Sequence, residues 1–279
     1  MTENKLKNNF YQGDSLKLLR EMNKFGYKVD LVLTSPPYNN SKSSKTQSTR
    51  DKHDGNKYDI YIDQKNDDDY IKWIAEYFRE FDVALSKDGA ILLNVSYAND
   101  SSNLARDVNP NEVMWRLINE IIVNTAFTVA DCIIWKKSTA LPNNVSKNKL
   151  TRIVEFIFVI VRKSEIKTFN ANKTVKSKSV TGQKYYENIK NFIEAPNNDG
   201  KTKLNQATFS SDLVSKLLDI YAQDGAIVLD PFMGTGSTAV GCVKANRDIS
   251  YIGFELSEEQ VRYSKERLKE FIEKNVDKQ

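Results

Sequence analysis

One histidine and two cysteines in 279 residues leave little to bind a soft metal. Cys132 and Cys242 lie in apolar stretches without paired spacing, and His53 stands in a polar one, so neither a disulfide framework nor a zinc cluster is expected. Long hydrophobic runs are also missing. The longest, IVEFIFVIV at 153–161, is too short to span a bilayer and contains Glu155. The opening MTENKLKNNF has no apolar core of a secretion signal, so a cytoplasmic protein without a membrane partner is expected. Net charge is low at +4, but it is unevenly placed: residues 136–190 carry thirteen lysines and arginines against three glutamates. That segment, at +10, reads as a surface facing a polyanion, and an ordinary solvated face is the plainer alternative.

What is present is an alternation of strand and helix patterns. NNFYQGD, VDLVLTS, GAILLNVS, AIVLD and ISYIGFE read as strands, several of them continuously apolar as in buried parallel sheets. SLKLLREMN, DDDYIKWIAEYFREFDVALS, PNEVMWRLINEIIVNT, SSDLVSKLLDIYA, STAVGCVKAN and the terminal SEEQVRYSKERLKEFIEKN read as helices. VADCIIWKK and RIVEFIFVIVRK are strands around the basic, loop-rich region. The pattern is that of a doubly wound α/β sheet with one interruption.

In IVLDPFMGTGSTAVG a buried strand runs through Asp230 into Gly234-Thr235-Gly236 and then into a helix. Such a turn lets the backbone approach a nucleoside-bearing ligand closely. Glu255 ends the next strand, 25 positions beyond Asp230, where a carboxylate can accept from two ribose hydroxyls. Gly234-x-Gly236-x-x-Ala239 also fits a dinucleotide fingerprint. A carboxylate just before the turn repels a pyrophosphate but pairs with an ammonium group, which favours S-adenosyl-L-methionine and leaves NAD as the alternative. An NAD-dependent oxidoreductase and a non-catalytic DNA-binding protein are accordingly the rival classes.

TSPPYN places Pro36 and Pro37 at the end of a buried strand, where neither has an N–H to give a ladder. An exocyclic amine on a nucleobase is a poor nucleophile, because its lone pair is delocalised into the ring. Ser35 Oγ and the Pro36 carbonyl are acceptors that can hold its N–H groups so that the nitrogen pyramidalises. Tyr38 can stack on the base, replacing stacking lost when the base leaves the duplex. Methylation at cytosine C5 needs a cysteine nucleophile, and neither cysteine follows a proline in a loop.

TSPPYN and DPFMGTGSTA resemble the two signature motifs of amino-methylating DNA methyltransferases. The catalytic motif comes first, as in their permuted β class. YQGDSLKLL, LSKDGAILLNV, IIWKK with RIVEFIFVIVRK, and YIGFELSEEQ extend the likeness over nearly the whole chain. The resemblance implies a Rossmann-like fold, circularly permuted: a catalytic half (1–135), a basic target-recognition region (136–203) and a cofactor half (204–279). It implies S-adenosylmethionine held by Asp14 at the adenine, Glu255 at the ribose and Asp230 at the methionine end. Pro231, Phe232, Gly234, Thr235 and Gly236 would line the same site. KLNQATFSSDL stands where relatives often carry a His-Pro stretch, and Thr208 and Phe209 there are expected to flank the cofactor. The catalytic set is Ser35, Pro36, Pro37 and Tyr38, and the loop from Asn39 to Tyr58 is expected to close over the base. Duplex DNA would meet Lys136, Lys137, Lys147, Lys149, Arg152, Lys173, Lys176 and Lys178. A restriction endonuclease of the same specificity and a second copy of the chain are further expected partners. Ser35, where adenine enzymes usually carry Asp or Asn, favours the 4-amino group of cytosine over the 6-amino group of adenine.

Overall fold

The computed structural model describes residues 6–37, 65–95, 112–140, 147, 150–200, 209–245 and 247–276. Tyr38, the 39–58 loop, Lys149 and Thr208 lie outside the described residues. In chain order the elements are β1 (Asn9–Gln12), α1 (Ser15–Lys24), β2 (Val29–Thr34), α2 (Asp67–Ala84), β3 (Leu85–Val95) and α3 (Glu112–Asn124). Then follow β4 (Phe127–Lys137), β5 (Val154–Arg162), β6 (Val175–Lys178), β7 (Lys184–Tyr186) and β8 (Phe192–Ala195). The chain ends with α4 (Ser211–Tyr221), β9 (Ile227–Asp230), α5 (Ser237–Lys244), β10 (Ser250–Glu255) and α6 (Glu258–Val276).

The central sheet runs β1-β10-β9-β2-β3-β5-β4-β8. Its first five strands are mutually parallel, whereas β5 is antiparallel to both β3 and β4. Alternating side chains send Leu33, Leu92, Val159 and Val228 to a core shared with α4, α5 and α6. Val32, Leu93, Ile160 and Leu229 go to the opposite core, with α1, α2 and α3. This is the doubly wound, three-layer fold expected from the pattern. The first strand of the chain lies beside the last, Phe10 opposite Gly253.

Local chemistry sets the helix ends. Asp14 caps α1 by accepting from Lys17 N at 2.9 Å, and Asn66 caps α2 from Asp69 N at 2.8 Å. Asp67, Asp68 and Asp69 add negative charge to the first turn of α2. That helix stops at Ala84, two residues short of the sequence expectation, because β3 starts at Leu85 and pairs it with Val29.

Strands within residues 136–203 belong to the central sheet. β5 lies in the middle of the sheet between β3 and β4, and β8 forms its edge. The run IVEFIFVIV is largely apolar because β5 sends side chains to both cores. What stands apart is the β6–β7 ribbon, every strand residue of which is exposed.

α4 and α5 touch through Gly241, where an added Cβ would lie 2.3 Å from Val214 Cγ1 and 3.1 Å from the Ser211 carbonyl. Gly241→Ala must push the two helices apart, an overpacking cost of about 1–3 kcal/mol. Urea unfolding that shows a stability below wild type by that amount is the expected result. An unchanged midpoint would show that the contact yields without cost.

Candidate active site

β2 leads through α2 to β3, while β9 leads through α5 to β10 on the other side. The neighbours β2 and β9 therefore flank the point where the winding reverses, the place where open α/β sheets bind ligands at their strand ends. The two sequence motifs stand there side by side. Ser35-Pro36-Pro37 leaves β2, and Asp230 through Gly236 leaves β9. They are fastened together: Thr34 Oγ1 donates to Asp230 Oδ1 at 2.8 Å.

Asp230 is enclosed, only 1% exposed. Besides Thr34 it accepts from Thr238 Oγ1 at 2.5 Å and from the Phe232 N–H at 3.0 Å. Burial pushes its carboxyl up to about 6, and the bonds from Thr238, Thr34 and Phe232 oppose that rise. Its position thus makes it the clamp between the two motifs. Thr34 and Thr238 lie within the two sequence motifs, but nothing in either motif says that their hydroxyls meet on Asp230.

The glycine turn itself is left-handed at Gly234 (φ 51°) and Gly236 (φ 80°). A Cβ at Gly236 would lie 2.9 Å from Ser264 Cβ, so the residue also lets the turn sit close against α6. Glu255, at the end of β10, accepts from Gly234 N at 3.0 Å and Ser257 N at 2.9 Å. Gly13 N donates to the Glu255 carbonyl at 2.8 Å, which brings Asp14 to the same edge. Asp14 is exposed and caps α1. Pro231, Thr235 and Phe209 are buried, the last within the core under α4 to α6. The half-buried Phe232 ring packs on α2 instead of standing clear in the cleft, 4.9 Å from Tyr77 and 5.7 Å from Trp73.

The basic residues are not brought together. Lys136 and Lys137 lie at the site end of β4 and, by strand alternation, face opposite ways. Lys136 meets Glu194 at 3.0 Å. Lys137, expected to contact DNA, turns inward onto Glu155, which is buried at 7% exposure and also accepts from Asn94 Nδ2 at 3.2 Å. Lys147 is exposed and Arg152 half-buried. Lys176 and Lys178 project from β6 and Lys173 from the segment just before it, all three exposed. The ribbon's root is tied by Asn172 to the carbonyls of Ile220, Asp219 and Ala222, at the C-terminal end of α4 and thus at the opposite edge of the sheet.

Cys242 is buried in α5, where burial pushes its thiol up, and Cys132 lies within β4, so neither stands on a site loop. No cluster of metal-ligating side chains occurs among the described residues. No described helix is long and apolar enough to cross a membrane.

A family model described as DNA methylase, covering the N6 and N4 amino-methyltransferases, matches residues 29–266. The chain belongs to this family. The match spans both loops joined by Thr34 and Asp230, and the family's methyl donor is S-adenosyl-L-methionine. This removes the NAD reading of the glycine turn. Among curated relatives, the Type II methyltransferase M.SmaI of Serratia marcescens is 27% identical over 278 residues, covering 86% of this chain and 84% of that protein. The fold is that of the PvuII DNA methyltransferase, described as cytosine-N4-specific, with a TM-score of 0.65 at 16% identity over 94% of this chain and 90% of that one. A structure of M1.HpyAVI with S-adenosylmethionine shares it as well, with a TM-score of 0.54 at 22% identity over 93% and 98%.

Proposed function

We propose that this methylase transfers the methyl group of S-adenosylmethionine to the 4-amino group of a cytosine flipped out of duplex DNA, as the modification half of a Type II restriction system. The observation that carries the reading is the Thr34–Asp230 bond, which sets the acceptor-bearing proline turn beside the glycine turn at the switch point of the sheet. The Type II assignment is supported by relatives such as M.SmaI, and the choice of cytosine by Ser35 together with the likeness to the PvuII enzyme.

The residues present fit the donor. Left-handed glycines bring the backbone close, Glu255 provides a carboxylate beside the turn, and Asp14 stands at the neighbouring strand end. Bound there, S-adenosylmethionine supplies a methyl group on a sulfonium centre. Ser35 Oγ and the Pro36 carbonyl hold the amine N–H groups, and two consecutive prolines leave those acceptors little freedom to move. Tyr38 stacks on the base. Incubating duplex DNA with the protein and tritiated S-adenosylmethionine tests the activity, and sequencing the modified DNA gives the recognition site. Absence of label in DNA, with donor bound, would remove the reading.

The ribbon lysines neutralise phosphates in this proposal. Replacing Lys173, Lys176 and Lys178 together by glutamine is expected to flatten the salt dependence of DNA binding by roughly 0.9 in log–log slope for each phosphate no longer neutralised. An unchanged slope would confine the DNA to the strand-end side of the molecule.

A further inference from the structure

The carbonyls of the glycine turn point back into the protein and are received by one face of α6. Ser264 Oγ donates to the Gly234 carbonyl at 3.0 Å, and Arg267 Nη1 donates to the Thr235 carbonyl at 2.8 Å. Arg267 also reaches Ser237 Oγ at 3.3 Å, and its Nη2 pairs with Asp199. Asp199 in turn accepts the Ser211 N–H on both oxygens at 2.9 Å, tying the segment after β8 to the start of α4.

Three features set this apart from packing. The side chains of Arg267 and Asp199 are only 18% and 21% exposed, so two charged groups have been partly withdrawn from water, a cost that an apolar pair would avoid. The guanidinium fork spends its donors on the turn and on Asp199, and its planarity fixes both at once. In a trans peptide the carbonyl and the next N–H point opposite ways, so anchoring the Gly234 carbonyl on Ser264 turns the Thr235 N–H away from α6.

We propose that Arg267, braced by Asp199 and assisted by Ser264, is a positioning residue that holds the glycine turn in its donor-binding shape before S-adenosylmethionine arrives. The inference rests on assigning the donor to this turn. Preorganisation of this kind contributes to affinity for the donor rather than to the chemical step.

The test is the pair Arg267→Met with Asp199→Asn, which removes both charges together and leaves an amide oxygen at that position to accept from Ser211 N. Calorimetry with S-adenosylmethionine should show affinity weakened by about tenfold or more, in keeping with loss of charge-assisted bonds. The KM for the donor should rise in parallel, while kcat at saturating donor and the KM for DNA stay near wild type. Arg267→Lys, which keeps the charge but loses the fork, should fall between the two. Should the double variant fold poorly, Arg267→Lys and Ser264→Ala are measured by the same titration, each with weakened donor binding expected. Gly236→Val checks the underlying assignment: donor binding that survives it takes the donor away from the turn. Loss of binding in Gly236→Val with wild-type affinity in the Arg267 and Ser264 variants overturns the positioning role. So does an equal fall in kcat and in both KM-normalised rates, which would mark a merely structural pair.

Discussion

Ser35→Ala is expected to slow methyl transfer by ~10²-fold or more, the usual loss for one preorganised acceptor or donor at a reacting group, with donor affinity unchanged. Ser35 leaves the end of β2, whereas the glycine turn leaves β9. One amine N–H would lose its acceptor while the Pro36 carbonyl still held the other. Tyr38→Ala is expected to lower turnover by a similar or larger factor, since the flipped base would lose its stacking partner. Single-turnover rates with calorimetry on the same preparations separate the two effects. Weaker donor binding in Ser35→Ala would mean that the two loops act as one site.

Asp230→Asn is expected to stabilise the fold and weaken the donor complex. The carboxyl, ordinarily near 3.8, is raised by burial to about 6, so the folded protein binds the proton more tightly than the unfolded chain. Stability from this group is present below about pH 4, is lost as pH rises to about 6, and stays lost above it. The ionised carboxylate at neutral pH therefore costs on the order of 2–3 kcal/mol, by the size of the shift. An amide can keep the bonds to Thr34 and the Phe232 N–H and carries no charge to desolvate. The variant should melt higher at pH 7 and lose the slope between pH 4 and 6. Affinity for S-adenosylmethionine should drop by about tenfold or more if this anion offsets the donor's ammonium group, as the resemblance implies. A melting temperature that is not raised would mean that the Thr238 bond, at 2.5 Å, outweighs desolvation. Unchanged affinity would reduce Asp230 to a clamp.

Much of the fold is legible in the sequence because its signals are local. Apolar runs such as VDLVLT and IVLD announce buried parallel strands, and the helical spacing of DDDYIKWIAEYFREFDVALS announces α2. Pro-Pro and Gly-x-Gly mark strand exits through backbone restriction alone, so both halves of the site can be placed without a structure. Pairing across the sheet is not local. Nothing in RIVEFIFVIVRK says that it lies between β3 and β4, so its place in the middle of the sheet is not legible. The same limit hides Glu155 opposite Trp135 on β4, and with it the inward turn of Lys137. Thr34 and Asp230 are 196 residues apart, and Arg267 reaches Thr235 from a helix that reads as merely amphipathic.

The central claim, donor-dependent methylation of an exocyclic amine held at Ser35, is met most directly by nucleoside mass spectrometry. DNA treated with protein and S-adenosylmethionine is digested and compared with methylated cytidine and adenosine standards. The expected product is cytosine methylated on its 4-amino group, strongly reduced with Ser35→Ala. Methyl on the 6-amino group of adenine would overturn the base and keep the mechanism. Methyl on cytosine C5, or full product formation by Ser35→Ala, would contradict the mechanism itself.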